Sequence, residues 1–378
     1  RGRGDAMLSN SPAHIIESLD PKTVIWFISD LHLGDGTPSD AFFGKDRHLI
    51  ALVNRVEREG ATLVINGDAL DFHQAWTFTR VMRAHQPLLR AFSRLSQQGR
   101  LIYVIGNHDY DISLYREILN FRVCESLHIG EDILVTHGFQ YDPYIGAAMQ
   151  SSHVSTRIHH LLERYLNTWL RIPLKDFYTL GNRLLFWGLH KLALLLTLAS
   201  HLLARVGVDA LKKSLFHHLN YWCRANAGDP MCMFESMKTH LKEGPFHTII
   251  CGHSHLPGVV EIEGKTYANS GSWTFSSSQY LKLEAGKISC HDWISGREYK
   301  SELYQPILDG KLDGLTFFGW WKEHYLGFLR FTDGARHADG LPPWQAHILG
   351  DQLQHGIPHS RESRPNDTLG SAKSKHIE

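Results

Sequence analysis

The sequence predicts a layered α/β domain carrying a long helical insert, and three features of the chain predict it. Five apolar runs without polar alternation, TVIWFIS, TLVIN, LIYVI, DILVT and HTIIC, have the composition of strands buried on both faces. Each runs into a short polar turn rich in metal-capable side chains: Asp30-Leu31-His32, Gly67-Asp68, Gly106-Asn107-His108-Asp109, His137-Gly138 and Gly252-His253-Ser254-His255. Amphipathic helical stretches separate the first three runs, which is the alternation of a layered α/β fold. Open α/β sheets place their sites at the C-terminal ends of strands, so a single site built from all five turns is expected.

Taken in order, residues 1–22 read as a flexible tail. Its opening, RGRGDAMLSNSPAH, has no apolar core of signal-peptide length, so no export signal is expected in it. The domain proper is expected over residues 23–304, starting with a strand at Thr23, and Gly34 and Gly36 keep the loop after His32 open. Leu49, Leu52, Val53 and Val56 share one face of a helix from about Asp46 to Glu59. The Asp68 strand follows. A helical stretch interrupted by Pro87 then runs to Gln98, and Gly99 ends it before the Gly106 motif. After His255, VVEIEGKTYANSG and QYLKLEAGKISCHDW read as hairpins turning at Glu263-Gly264 and Ala285-Gly286, which makes the second half of the core mixed or antiparallel. Residues 305–332 form a C-terminal extension with an aromatic patch at Phe317 to Trp321. Residues 333–378, rich in Gly, Pro, Ser and His, are expected to be disordered.

Between about residues 145 and 240 the pattern changes to helices. Val154, Ile158, Leu161, Leu162, Tyr165, Leu166, Trp169 and Leu170 fall at helical spacing in the first. A second, from about Asn182 to Val206, is nearly apolar, with His190, Thr197, His201 and Arg205 as a narrow polar stripe; Val208, Leu211, Leu215, Leu219 and Trp222 mark a third. Lys191 interrupts the second run, so no membrane span is expected there. From Ser151 to Ala225 there are ten Lys or Arg against three Asp or Glu, a net of +7 on a chain whose total is zero. This basic, apolar insert reads either as a cap completing a hydrophobic core or as a surface for a lipidic substrate or an anionic membrane.

Composition excludes some classes. Lys plus Arg and Asp plus Glu both number 39, which gives no electrostatic reason to expect a nucleic-acid partner. Five scattered cysteines without a CxxC pair fit a reducing, cytoplasmic location and exclude a cysteine-built zinc site. Among the 26 histidines, His73, His85, His128, His159, His160, His217 and His218 fit no motif and read as structural or surface residues.

The chemistry follows from the donor types. Hydrolysis of a phosphate ester needs a nucleophilic hydroxide at neutral pH and positive charge against the phosphoryl oxygens, and two divalent cations supply both. Two cations need a bridging carboxylate, and Asp68, at the end of the most regular run, is the expected bridge. Mixed carboxylate, imidazole and amide donors favour Mn, Fe or Zn over Mg, with Mn²⁺ the first choice.

The ordered set DxH, GDxxD, GNHD, HG and GHxH resembles the calcineurin-like metallophosphoesterases, from Thr23 to about Trp293. The resemblance implies an α/β/β/α metallophosphoesterase sandwich with the helical insert before the last metal-binding motif. It also implies one metal ion on Asp30, His32, Asp68 and His255 and a second on Asp68, Asn107, His137 and His253. His108 would act near the leaving group, with Asp71 orienting its ring, while Asp109 secures the loop. Asp71 is followed by Phe72-His73 rather than Arg-Gly, which separates the chain from serine/threonine protein phosphatases. The insert and the Asp30-Leu31-His32-Leu33 sequence resemble the UDP-2,3-diacylglucosamine diphosphatase subgroup. A phosphorylated or pyrophosphate-linked lipidic substrate is therefore expected, with peripheral contact at the inner membrane face. The alternatives are a phosphodiesterase or phosphatase for a soluble nucleotide or phosphoprotein, and, less favoured, a non-catalytic scaffold.

Overall fold

Each of the five apolar runs forms a strand, and Ile133 is the one residue of these strands that is not fully buried. The computed structural model describes residues 23–142 apart from 38, 39 and 43, residues 180–227, residues 232–322 apart from 275 and 276, and the isolated residues 19, 161, 162 and 165. The expected N-terminal tail, most of the first insert helix and the 333–378 tail lie outside the described residues.

Among the described residues, twelve strands make two sheets. They are β1 (Ile25–Ile28), β2 (Thr62–Asn66), β3 (Leu101–Val104), β4 (Arg122–Cys124), β5 (Ser126–Ile129), β6 (Ile133–Thr136), β7 (Thr248–Cys251), β8 (Gly258–Ile262), β9 (Lys265–Asn269), β10 (Gln279–Glu284), β11 (Lys287–Asp292) and β12 (Glu298–Tyr299). The first sheet runs β12-β11-β10-β1-β2-β3-β4 and the second β5-β6-β7-β9-β8.

The absence of polar alternation in the runs has a direct cause, since successive side chains enter two different cores. Trp26, Ile28, Leu63, Ile65, Leu101 and Tyr103 pack on helices, against Leu49, Leu52, Val53 and Val56 of Asp46–Arg58 and Leu88, Phe92 and Leu95 of Gln86–Gln97. Ile25, Phe27, Val64, Ile102 and Val104 point the other way, against Leu127, Ile129, Val135 and Ile250 of the second sheet. That sheet's far side carries Leu134, Ile249 and Cys251 and is covered by Met233, Phe234, Met237 and Leu241 of helix Met233–Glu243. The layers are therefore α/β/β/α, as expected.

Strands β1, β2 and β3 are mutually parallel, as are β6 and β7, so all five motif turns leave from the same end of the sandwich. The later strands are the expected hairpins, with Glu263-Gly264 and Ala285-Gly286 all at positive φ, the geometry of a two-residue hairpin turn. Pro87 falls in the first turn of Gln86–Gln97, where its missing N–H costs nothing, and the break it makes separates that helix from Phe78–Ala84.

The loop after β1 is held by a buried ion cluster at His85. Its Nδ1 lies 2.9 Å from Asp46 Oδ1 and its Nε2 3.0 Å from Asp40 Oδ2, the oxygen that also accepts the N–H groups of Gly34 and Gly36. Burial pushes the ring's pKa down, but hydrogen bonds and charge from Asp40 and Asp46 outweigh it and raise it to about 9. A pKa raised by folding gives stability that is complete below the ordinary value near 6.5 and is lost as pH climbs through about 9. The urea midpoint of the intact chain is expected to fall across that window, by up to about 3 kcal/mol in stability. In His85→Gln the fall over the same span should shrink by the share that His85 contributes, and an unchanged slope in the variant would remove His85 as a cause.

The insert departs from expectation in two ways. Its second helix is continuous over Leu180–Arg205, and its Trp187–Arg205 stretch, of mean hydropathy 1.3, is long and apolar enough by length and composition to cross a membrane despite Lys191. Its polarity is also partly turned over, although His201 and Arg205 of the polar stripe are exposed. Ala193 and Ser200 are buried and Thr197 half-buried, facing the side where helix Ala210–Ala227 and the C-terminal segment lie, while Leu192, Leu194, Leu195, Leu198 and Leu202 are exposed. His190 stacks on Trp321 with ring centroids 3.5 Å apart. The C-terminal segment therefore belongs to two cores: Ile307 and Leu312 pack beneath the second sheet, and Phe317 and Trp320 pack with Ala193 and Cys223 of the insert.

Candidate metal centre

The register of β1 against β2 sets the first contact of the site. Ile28 pairs with Ile65, and the ladder continues past the strands as Asp30 N–H to Gly67 O (3.0 Å) and His32 N–H to Asp68 O (2.9 Å). Across the sandwich, Gly252 N–H donates to His137 O (2.9 Å), joining the turns after β6 and β7. Two glycines make the close approach possible. A Cβ on Gly106 would stand 2.1 Å from Asp68 Oδ1, and one on Gly67 would stand 2.3 Å from His137 Nδ1. Those separations are far inside van der Waals contact, so these motif positions admit only glycine.

The backbone itself is bent at the site. Ten non-glycine residues have positive φ among the described residues, and five of them are Asp30, His32, Asp68, His253 and His255. Each such conformation costs about 1–3 kcal/mol and persists where surrounding structure over-determines it, typically at functional centres.

Four of the five rings are oriented by an acceptor, which decides the nitrogen left over. His137 Nδ1 donates to Asn66 O (2.7 Å), His32 Nδ1 to Asp71 Oδ2 (3.2 Å) and His108 Nδ1 to Asp71 Oδ1 (3.2 Å). His253 does the opposite, with Nε2 on Asp142 Oδ2 at 3.0 Å, so Nδ1 is its remaining donor to a metal. Such outer partners fix tautomer and ring direction around metal ions. Each carboxylate likewise commits one oxygen to the backbone: Asp30 Oδ2 accepts His253 N–H (2.9 Å) and Asp68 Oδ1 accepts His108 N–H (2.8 Å).

The uncommitted atoms converge. Asp68 Oδ2 lies 3.2 Å from His137 Nε2 and 3.9 Å from His32 Nε2, while Asp30 Oδ1 lies 3.2 Å from His255 Nε2 and 3.8 Å from His137 Nε2. Asp30-His32-His255 and Asp68-His137-His253, three residues of each expected set, bring one donor atom per residue within 4.8 Å of the others, and Asp68 Oδ2 faces both groups. A third such group, His32-Asp71-His108, is accounted for by the hydrogen bonds of Asp71 to both rings. Asn107 Oδ1, His32 Nε2, His137 Nε2 and Asp30 Oδ1 are buried and without hydrogen-bond geometry to any partner. Orphaned buried donors and acceptors of this kind are expensive, and divalent ions on mixed oxygen and nitrogen donors would satisfy all four. The residues present fit the metal pair.

The electrostatics point the same way. Burial lowers the pKa of His137, yet the charges of Asp68 and Asp30 raise it to about 10. Burial works to raise the carboxyl of Asp68, but His137 and His108 hold it well below the ordinary value. Two buried carboxylates thus demand positive charge at this point of the structure. His108 is pushed up to about 9 by Asp71 and Asp68 against the effect of burial.

All nine sequence-predicted residues, Asp30, His32, Asp68, Asp71, Asn107, His108, His137, His253 and His255, come to this one end of the sandwich. His255 is the most open, its side chain 38% exposed, and stands at the rim. Asp109 takes no part in the cluster; it accepts from Gly106 N–H, Ala69 N–H and the Tyr103 hydroxyl, tying the turn after β2 to its own turn and to β3. Sequence reasoning missed Asp142, whose only signal was its place five residues after His137. It also set His73 aside, although that ring packs against His108 with centroids 4.6 Å apart.

Comparison with known proteins agrees with this geometry. Residues 23–257 match the family model described as calcineurin-like phosphoesterase. A UDP-2,3-diacylglucosamine hydrolase of Bordetella parapertussis is 30% identical over 128 residues, covering 31% of this chain and 46% of that protein. The corresponding Bordetella pertussis protein gives the same figures, so the chain spans about half the length of the curated relatives it matches. Among solved structures, a phosphoesterase from E. coli aligns over 73% of this chain and 96% of its own at 12% identity and a TM-score of 0.34. A conserved uncharacterized protein from Streptococcus pneumoniae, described as a predicted phosphoesterase, aligns over 72% and 90% at 12% identity and a TM-score of 0.30. With the family model covering more than half of its length and all five motif turns gathered at one edge of the sandwich, the chain belongs to the calcineurin-like phosphoesterases.

Proposed function

We propose that this chain hydrolyses a phosphate ester or pyrophosphate bond in a lipid-linked substrate, using two divalent ions, Mn²⁺ being the expected pair. The observation that carries the reading is the convergence of Asp and His donor atoms from four turns, with Asn107 on the fifth, and four of the site's atoms, Asp30 Oδ1, His32 Nε2, Asn107 Oδ1 and His137 Nε2, are buried without a hydrogen-bond partner. Asp30, His32, Asp68 and His255 would hold one ion, and Asp68, Asn107, His137 and His253 the other. Bound there, two such ions supply positive charge against the phosphoryl oxygens and make water acidic enough to attack at neutral pH.

The chain's own residues do the rest. Asp71 fixes His108 through Nδ1, which leaves Nε2–H to give its proton to the ester oxygen as its bond to phosphorus breaks. Asp142 keeps His253 turned so that Nδ1 is presented. A diacylated nucleotide sugar is the substrate class favoured, because the Bordetella relatives are UDP-2,3-diacylglucosamine hydrolases.

The test is a substrate panel with added Mn²⁺: an aryl phosphodiester, an aryl phosphomonoester, and a UDP-sugar with and without two acyl chains. The acylated UDP-sugar is expected to give a kcat/KM at least about tenfold above its unacylated counterpart, from burial of even a few methylenes. Equal values would reject the lipidic substrate, and no turnover on any member would reject the enzyme.

A further inference from the structure

The turned-over polarity of the insert has a physical cost in water. Trp187–Arg205 is only 11% buried, and Leu195 and Leu198 are 62% and 60% exposed although small and polar side chains on the same helix are buried. Small residues inward and leucines outward is how helices pack where the surroundings are hydrocarbon. The two helices that carry and support this face are also basic: residues 180–227 have six Lys or Arg against one Asp, with Lys191, Arg205 and Lys213 exposed and Lys212 half-buried.

From these two observations we propose that the insert helices seat the protein in the plane of an anionic membrane surface, the Leu194, Leu195, Leu198 and Leu202 face entering the acyl boundary and Lys212 and Lys213 meeting lipid phosphates. This goes beyond the reaction proposed above. A seat in the plane, rather than a span, follows from the second helix. Leu180–Arg205 packs along Ala210–Ala227, which bears Lys212, Lys213, His217 and His218, and carrying these through hydrocarbon with their neighbour would be prohibitive. The Leu180–Arg205 helix, roughly 39 Å long at 1.5 Å per residue, can lie flat with its apolar face down and Trp187 near one end at headgroup depth.

The experiment is sedimentation of the full chain with vesicles of phosphatidylcholine, alone or mixed with phosphatidylglycerol, at low and high salt. The chain is expected to sediment with the anionic vesicles, less so at high salt, and to be released by carbonate. Leu195→Gln with Leu198→Gln, and separately Lys212→Glu with Lys213→Glu, should each weaken binding about tenfold or more. Hydrolysis of a small soluble phosphodiester should be unchanged in both, which keeps misfolding out of the interpretation. A wild-type chain that stays in the supernatant overturns the proposal, whether a second copy or residues 143–179 cover the leucines. Binding indifferent to phosphatidylglycerol, or resistant to carbonate, overturns it as well. No substrate enters this measurement, so its failure and that of the lipidic-substrate reading are independent.

Discussion

Asp68→Asn is expected to strip the protein of both divalent ions and to lower turnover by about 10³-fold or more, since each ion contributes several kcal/mol to stabilising the phosphoryl transition state. The asparagine keeps the side chain's shape and an oxygen for the His108 N–H, which Asp68 Oδ1 accepts at 2.8 Å, so the fold around it should survive. What it removes is the charge that Oδ2 directs at His137 and His32 together. Metal analysis of wild type should return two ions per chain and of the variant fewer than one. A variant retaining one full ion would show that Asp30 Oδ1, which also faces His137 at 3.8 Å, takes part of the bridging role and would reject Asp68 as the sole bridge.

His108→Ala is expected to keep both ions and lose about 10²- to 10⁴-fold in turnover on an alkyl phosphate, the range for a general acid. Metal retention follows from geometry, because the contact of His108 with the cluster's carboxylate is through its backbone N–H, which alanine preserves. The side chain's hydrogen-bond partner is Asp71, outside both metal sets, and its ring packs against His73 and edge-on against His32, whose own Nδ1 stays held by Asp71. The loss should shrink sharply on an aryl phosphate whose leaving group needs no proton. Equal losses on alkyl and aryl substrates would assign His108 to holding the phosphate rather than to protonating the leaving oxygen.

Much of this was legible in the chain because the strands are buried on both faces. A strand that meets helices on one side and a second sheet on the other must be apolar at every position, so TLVIN and LIYVI announce themselves, and the polar residues that follow mark where each leaves the core. The short-range glycine motifs were readable for a similar reason. Gly67 and Gly106 stand where any Cβ would strike His137 or Asp68, so the site leaves its imprint on residue type as well as on the ligands.

Properties set by distant pairing were not legible. Asp142 is an ordinary acidic residue in sequence, and only the fold brings it 3.0 Å from His253 to decide which ring nitrogen remains. His85 fitted no motif, yet it sits between Asp40 and Asp46, residues separated from it by 45 and 39 positions. For the insert, periodicity reported an apolar face and a polar stripe without saying which would be covered. By itself the sequence determined the α/β layers, the five turns and the nine residues gathered there, because burial and close approach constrain residue type locally. Only the tertiary structure decided ring tautomers, the role of Asp142 and the outward turn of the leucines, because these depend on which surfaces meet, and hydropathy along a chain carries no information about its partner.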